Sequence, residues 1–332
     1  MTQPGRDDLI NWRSSKLNRL DAATPELAAS LAGHLGAARA GDLAKRLEEF
    51  ARAVAEVIEP AVEIQERARE FPRHRPFDEL GRLVESVEFH PAHADAAAAA
   101  WGSGMLAAPL DESGAFELAA LFFLLAHVGE GGQACPIVCT VGLRRALEHR
   151  GSVELREHFL AGLAAGDAAT ALRGSQFLTE VQGGSDVGAN VALAEPDPEV
   201  PGAWRISGEK WFCSVADADL FAVTARPTGA AAGTGGLGCF LVPRRVDGAV
   251  NGFRIRRLKD KLGTRLLASA EIDFDRALAW PIFEAKAFPG GRMGAAPPAA
   301  AEPREFAVGA VTGGKPDVVL LIHDRILIYK QE

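Results

Sequence analysis

The chain is short of cysteine, of long apolar runs and of positive charge, and each shortage excludes something. Four cysteines, Cys135, Cys139, Cys213 and Cys239, stand in 332 residues, and none is spaced Cys-x-x-Cys. A disulfide framework is excluded, and reduced, buried thiols are expected. The longest apolar run, Leu118 to Ala126, is far below the ~20 residues that span a bilayer. The opening Met1-Thr2-Gln3-Pro4-Gly5-Arg6-Asp7-Asp8 is polar and leads into no apolar core, unlike a secretory leader. No membrane partner is therefore expected, and the expected location is cytoplasmic. A formal net charge of −8 disfavours nonspecific attraction to nucleic acid. His90 and His93 have no Cys or carboxylate partners at ligand spacing, so no metal site is expected.

What is present reads as two unlike halves. The length suits two domains at roughly 100–200 residues each. From Asp42, Leu43, Leu47, Phe50, Val54, Val57 and Ile58 recur at helical spacing, with charged residues between them. Pro60 should stop or kink that helix. Ala92 to Ala100, Phe116 to Val128, a segment beginning at Cys135, and a segment capped by Ser152 and closed by Gly166 also read as helices. The first half, residues 1–168, is expected to be all-helical.

Near Ala169 the period falls to two. Ala189 to Ala194, Trp204 to Ser214, Leu220 to Ala225, Leu237 to Val242, Phe253 to Leu258 and Ala268 to Phe274 are strand candidates parted by turn residues. Six strands in about a hundred residues predict a small antiparallel β-barrel or sandwich over 169–282. The expected class is multidomain α+β. Residues 283–332 read as an Ala/Gly/Pro-rich linker and two short strands around His323-Asp324-Arg325.

The chemistry concentrates between Gln176 and Ser214. Phe177-Leu178-Thr179-Glu180 leads into Gly183-Gly184-Ser185-Asp186, and Gly208-Glu209-Lys210-Trp211-Phe212-Cys213-Ser214 follows. Amides at a Gly-rich turn, with hydroxyls beside them, suit a ring edge or phosphate rich in acceptors. A Trp near a strand end offers a flat face for a planar cofactor. The bland reading is an ordinary turn with a core Trp.

These segments, with Phe240-Leu241-Val242-Pro243-Arg244 and Arg257-Leu258-Lys259-Asp260-Lys261-Leu262-Gly263-Thr264-Arg265, resemble the acyl-CoA dehydrogenase family, in the branch of the adaptive-response DNA-alkylation protein. The resemblance runs over roughly residues 35 to 282 in family order. It implies a flavoprotein that binds FAD and acts on an acyl-CoA-type substrate. It implies that Leu178 and Thr179 meet the flavin edge, that Gly184 and Ser185 meet its polar part, and that Trp211, Phe212, Cys213 and Ser214 line the ring. The family's catalytic carboxylate and oligomer interface belong to a C-terminal helical domain, and nothing after Ile282 matches it. No catalytic residue is therefore named, a homo-oligomer is doubtful, and the chain reads as truncated or frame-shifted. Glu180 and Asp186 are expected to be structural hydrogen-bond acceptors. The alternatives are a noncatalytic module, binding nucleic acid through the basic strip Arg254 to Arg265, or a gene remnant. The bland reading of that strip is a solvated strand face countered by Asp260 and Glu271.

Overall fold

The computed structural model describes residues 12–109, 111–283, 318–322 and 325–329. The first half is built of α1 (Trp12–Leu35), α2 (Ala37–Ala53), α3 (Glu59–Ala68), α4 (Ala92–Trp101), α5 (Glu112–Leu125), α6 (Ala134–Arg150) and α7 (Val153–Leu163). The heptad-like stripe read from Leu43 onward is the buried face: Leu43, Leu47, Val54 and Ile58 are fully enclosed, together with Leu121, Leu124 and Trp101. Glu117 on α5 is buried and accepts from Arg39 (2.7 Å) and Arg46 (3.2 Å) of α2, which fixes how these two helices cross. Arg144 of α6 donates to the carbonyls of Leu106 (2.6 Å) and Ala108 (2.8 Å), tying down the loop that follows α4.

In this half two expectations are corrected. Pro60 does not end its helix. A π-helical segment, Val54–Ile58, precedes it, and Pro60 falls in the first turn of α3, where its missing N–H costs nothing. Nor is the first half purely helical. β1 (Arg73–Phe77) and β2 (Leu83–Glu88) form an antiparallel hairpin. Its strands are charged and only half-buried, so they carry no apolar alternation to betray them.

The second half contains β3 (Gly174–Phe177), β4 (Leu193–Pro196), β5 (Trp204–Ser214), β6 (Leu220–Pro227), β7 (Gly238–Pro243), β8 (Arg245–Val246), β9 (Ala249–Val250), β10 (Phe253–Leu258) and β11 (Ser269–Phe283). The strand anticipated at Ala189 to Ala194 begins only at Leu193, because a 3-10 turn occupies Val187–Ala189. The sheet is mixed, which corrects the expected antiparallel arrangement: β3 and β4 both run parallel to β6, and the remaining pairings are antiparallel. Pairings run from β11 to β5, β4, β6 and β7 and back to β11. That circuit depends on the length of β11, whose Ser269 to Ala279 pairs with β5 and whose Trp280 to Phe283 pairs with β7. Arg276 sits at positive φ (52°) where the register slips, so the strand turns as a bulge does. Phe177, Trp204, Ile206, Phe221, Phe240, Phe253, Ile272 and Phe274 fill the interior.

The halves join through apolar packing of α6 and α7 on this sheet, with Leu143, Leu147, Leu155 and Leu163 against Leu220, Leu241 and Ile282. Polar clasps set the angle. The Glu85 carboxylate caps the Ile255 N–H at the outer edge of β10 (2.8 Å), and Arg244 donates to the Glu85 carbonyl. β12 (Val318–Ile322) pairs antiparallel with β13 (Arg325–Tyr329), at the two short strands read there. The expected linker lies outside the described residues from 284 onward.

His93 sits at the junction. It stacks on Phe89 (4.1 Å between centroids), and its Nε2 accepts from the Gln133 amide (3.1 Å), whose oxygen in turn takes the Trp101 indole N–H. The proton is thus assigned to Nδ1, which is buried without a partner. Burial lowers its pKa to about 4; the Arg173 guanidinium adds to this and Asp217 opposes it. Because the folded value lies below the unfolded one, stability is complete above about pH 6.5 and drains as pH falls towards 4. Urea denaturation at pH 7 and pH 5 should differ by about 2 kcal/mol from this group alone, and His93→Gln should remove that difference. An unchanged pH slope in the variant would show that His93 is not its source.

Candidate functional site

The site begins where β3 ends. Phe177 buries itself in the core, and the chain leaves through Leu178 and Thr179 into a turn closed by mutual amide bonds between Glu180 and Gly183. The Glu180 side chain turns inward and meets Lys210 of β5 at 2.6 Å, both side chains being 0% exposed. The carboxylate also accepts from the amides of Val191 (2.7 Å) and Ala192 (3.2 Å) and from the Gln182 side chain (2.7 Å). The Lys210 ammonium spends its remaining donors on the Thr224 hydroxyl (3.2 Å) and the Leu178 carbonyl (3.3 Å). Burial pulls its pKa below the ordinary value and Glu180 draws it back up. One buried pair thus fixes the end of β3, the loop that leads to β4, and strands β5 and β6.

Around this lock the anticipated ligand groups separate into two sets. The Leu178 carbonyl accepts from Lys210, Thr224 and Asn190, so its lone pairs are spent within the protein. Cys213 is wholly buried, and burial pushes its thiol far above its usual range. Ser214 is also buried, its hydroxyl bonded to that of Ser269 (3.0 Å). These two side chains face the core, which corrects the expectation that they line an accessible ring site.

The outward set is Thr179, Gly184, Ser185, Trp211 and Phe212. The Thr179 carbonyl accepts from the Trp211 amide (2.8 Å), which brings the turn beside β5. Among the described residues, nothing hydrogen-bonds the hydroxyls of Thr179 or Ser185, and Ser185 is exposed. A Cβ on Gly184 would touch only the Thr179 methyl, at 3.8 Å, so this part of the turn stands open. A Cβ on Gly183 would lie 2.4 Å from the Asn190 side chain, so glycine is required there for close packing. Phe212 holds a positive φ (57°), uncommon for a bulky residue, and this turns its ring outward to 43% exposure. Trp211 is half-buried, and the Lys259 ammonium lies 3.1 Å from its ring centroid and 4.4 Å from that of Phe212. One aromatic face is therefore occupied by a cation held at its other side by Glu271 (2.8 Å).

The basic strip is largely compensated. Arg256 pairs with Asp273 (2.6 Å) and Glu209 (3.0 Å), Arg257 with Glu271 (2.6 Å), and Arg265 with Glu66 (3.2 Å). Lys261 donates to the Leu267 carbonyl (2.9 Å). Glu180 takes the role of structural acceptor expected of it. The residues that sequence reasoning left without a role are Lys210, Thr224 and Asn190. Lys210 carried a usable signal, since it shares the inward parity of Trp204 and Ile206 on the same strand.

Lys210→Met would strand a buried carboxylate, so a loss of about 3–5 kcal/mol in urea denaturation is expected, with partial recovery in the Glu180→Gln/Lys210→Met double variant. A single variant within 1 kcal/mol of wild type, on the order of an exposed pair, would remove the pair from this role.

Residues 16–167 match the adaptive response protein AidB N-terminal domain, and residues 175–277 match the acyl-CoA dehydrogenase middle domain. The chain is 35% identical over 216 residues to the putative acyl-CoA dehydrogenase AidB of Escherichia coli (strain K12), an alignment that covers 61% of this chain and 38% of that protein. Among solved structures it resembles the apo form of Bd2924, with a TM-score of 0.74 and 30% identity over 81% of this chain and 54% of the other. It also resembles Caenorhabditis elegans ACDH-11 in complex with C11-CoA, with a TM-score of 0.70 and 26% identity over 79% of this chain and 46% of the other. The chain thus spans about two fifths to one half of the length of these relatives.

Proposed function

Because the chain belongs to the acyl-CoA dehydrogenase family, carrying an AidB-type N-terminal domain followed by the family's middle domain, we propose that it supplies the flavin-docking half of a dehydrogenase-like oxidoreductase. Its second half is read as the family's β-barrel, a reading supported by pairings that return to their starting strand. The domains are read as 1–168 and 169–282.

The observation that carries the proposal is the open turn at Thr179, Gly184 and Ser185, held in place by the fully buried Glu180–Lys210 pair. An internal lock of this cost, supporting hydroxyls that the protein itself does not use, suits a site that waits for an outside ligand. FAD, the cofactor of the family, fits the outward set. Thr179 would donate to the ring edge, the Gly184 amide and Ser185 would meet the polar portion, and Phe212 would cover an apolar rim. Trp211 fits edge-on or by the face that Lys259 leaves clear. Cys213 and Ser214 fit only through their backbone. When bound, FAD supplies a hydride acceptor for oxidation of a carbon–carbon bond next to a thioester. The chain's own part is to bind and orient that ring, and Lys259, close to the aromatic pair, adds positive potential on the same side. An acyl-CoA-type substrate and a part in the response to DNA alkylation follow from the relatives and belong to the same proposal.

Titration of the purified chain with FAD, read by the visible spectrum and by quenching of flavin fluorescence, tests the reading. Saturable binding should weaken about tenfold on Thr179→Ala, the loss expected for one hydrogen bond to a ring edge. Ser214→Ala, a buried position, should leave affinity unchanged while altering stability. Equal affinities for wild type and Thr179→Ala, or no binding at saturating FAD, would overturn the assignment.

A further inference from the structure

Two thiols that the proposed function leaves unused lie face to face on α6. Cys135 and Cys139 are one helical turn apart, with their sulfurs 3.7 Å from each other. Cys139 belongs to the core of the β half, and Cys135, half-buried, packs against it from the rim. We propose that this pair is a chelating dithiol site for a bent, thiophilic trivalent centre of the arsenic(III) class.

Three features select this chemistry. A disulfide requires Cβ atoms about 3.5–4.5 Å apart, whereas residues four apart on a helix hold them at roughly 5–6 Å. The helix is braced against the distortion that would close this gap. Thr140 bonds back to the Pro136 carbonyl (2.7 Å), Gln176 of β3 donates to the Cys139 carbonyl, and the Cys135 amide is held by Glu130 (3.4 Å). Next, two bonds of about 2.3 Å, the length of a metal–thiolate bond, span 3.7 Å when they open at roughly 107°. That angle belongs to a pyramidal or tetrahedral centre and not to a linear two-coordinate one. Among the described residues no group of three or more His, Cys, Asp or Glu could complete a tetrahedral metal site. A pyramidal centre that brings its own third substituent remains.

Charge agrees with geometry. The hydrogen bond to Cys139 and burial both push the Cys135 thiol upward, so Cys135 rests as a thiol. Burial likewise raises the neighbouring Glu130 carboxyl. Ligation that left a negative bis-thiolate would be penalised in this setting. Condensation with an arsenous compound leaves no charge: R–As(OH)2 and two thiols give R–As(S–Cys)2 and two waters. Two As–O bonds break, two As–S bonds form, each thiol proton leaves with a hydroxyl, and no oxidation state changes.

The test uses the folded chain with one equivalent of phenylarsine oxide, read by intact mass. One phenylarsenic group per chain should bind, survive an excess of 2-mercaptoethanol and be released by 2,3-dimercaptopropanol. Cys135→Ser and Cys139→Ser should each reduce retention by at least ~100-fold, because chelation is lost. Cys239→Ala should retain the adduct. Should Cys139→Ser fail to fold, Cys135→Ser at the rim decides alone. Retention that persists in Cys135→Ser would overturn the site, as would an adduct in wild type that washes off with monothiol. So would formation of an intramolecular disulfide under mild peroxide, since the helix would then have closed the gap it is argued to hold open. None of these outcomes depends on flavin.

Discussion

The contact on which the β half depends is the ion pair between Glu180 and Lys210. Neither side chain reaches solvent, and between them they engage two backbone amides, one carbonyl, one hydroxyl and one amide side chain. Taking two charges out of water is costly, and a pair of apolar residues of similar size would avoid the cost. Apolar residues would not place the loop from Glu180 to Ala192 against β5, because they offer nothing to the amides of Val191 and Ala192. Position is what this pair supplies. Gly208 works to the same end: a Cβ there would lie 2.8 Å from the backbone of Ala192, so the loop and strand approach as closely as chains can.

The junction of the halves repeats the division of labour. Leucines on α6 and α7 provide apolar area against the sheet but little direction, as apolar contact is non-directional. Direction comes from contacts at the margins: Arg244 and Ile255 to Glu85, Arg265 to Glu66, and the Arg173 guanidinium over the Trp101 ring. The hairpin of β1 and β2 therefore serves both halves, because its Glu85 covers an edge amide of β10 that would otherwise be open to another strand.

Much of this was legible in the sequence. The apolar stripe of α2, the cap at Ser152 and the alternation of β10 and β11 are periodic signals, and each became the element it announced. The charged hairpin was not legible, because its half-buried strands carry no apolar alternation and its tie to the sheet, Glu85 to Ile255, spans 170 positions. Nor was the passage of a helix through Pro60, which relies on a π turn that leaves no mark on residue type. In the site, the motif identified the turn and the aromatic pair, but could not sort inward from outward side chains. Lys210 and Phe212 share a parity yet have opposite fates, because the positive φ at Phe212 shifts the alternation and turns Cys213 inward instead. The spent carbonyl of Leu178 was equally hidden, since its three donors come from three separate segments.

β11 carries a consequence of a different kind. It hydrogen-bonds to β5 through its first part and to β7 through its last, and it comes after both in the sequence. During synthesis, β5, β6 and β7 can leave the ribosome and pair in part, but the circuit of strands stays open until Phe283 has emerged. Until then β5 and β7 each present an edge of unpaired amides. Such edges, together with contacts distant in sequence, slow closure and invite association between unfinished chains. The same strand that unites the finished structure is thus the one whose arrival time sets how long the nascent protein is exposed.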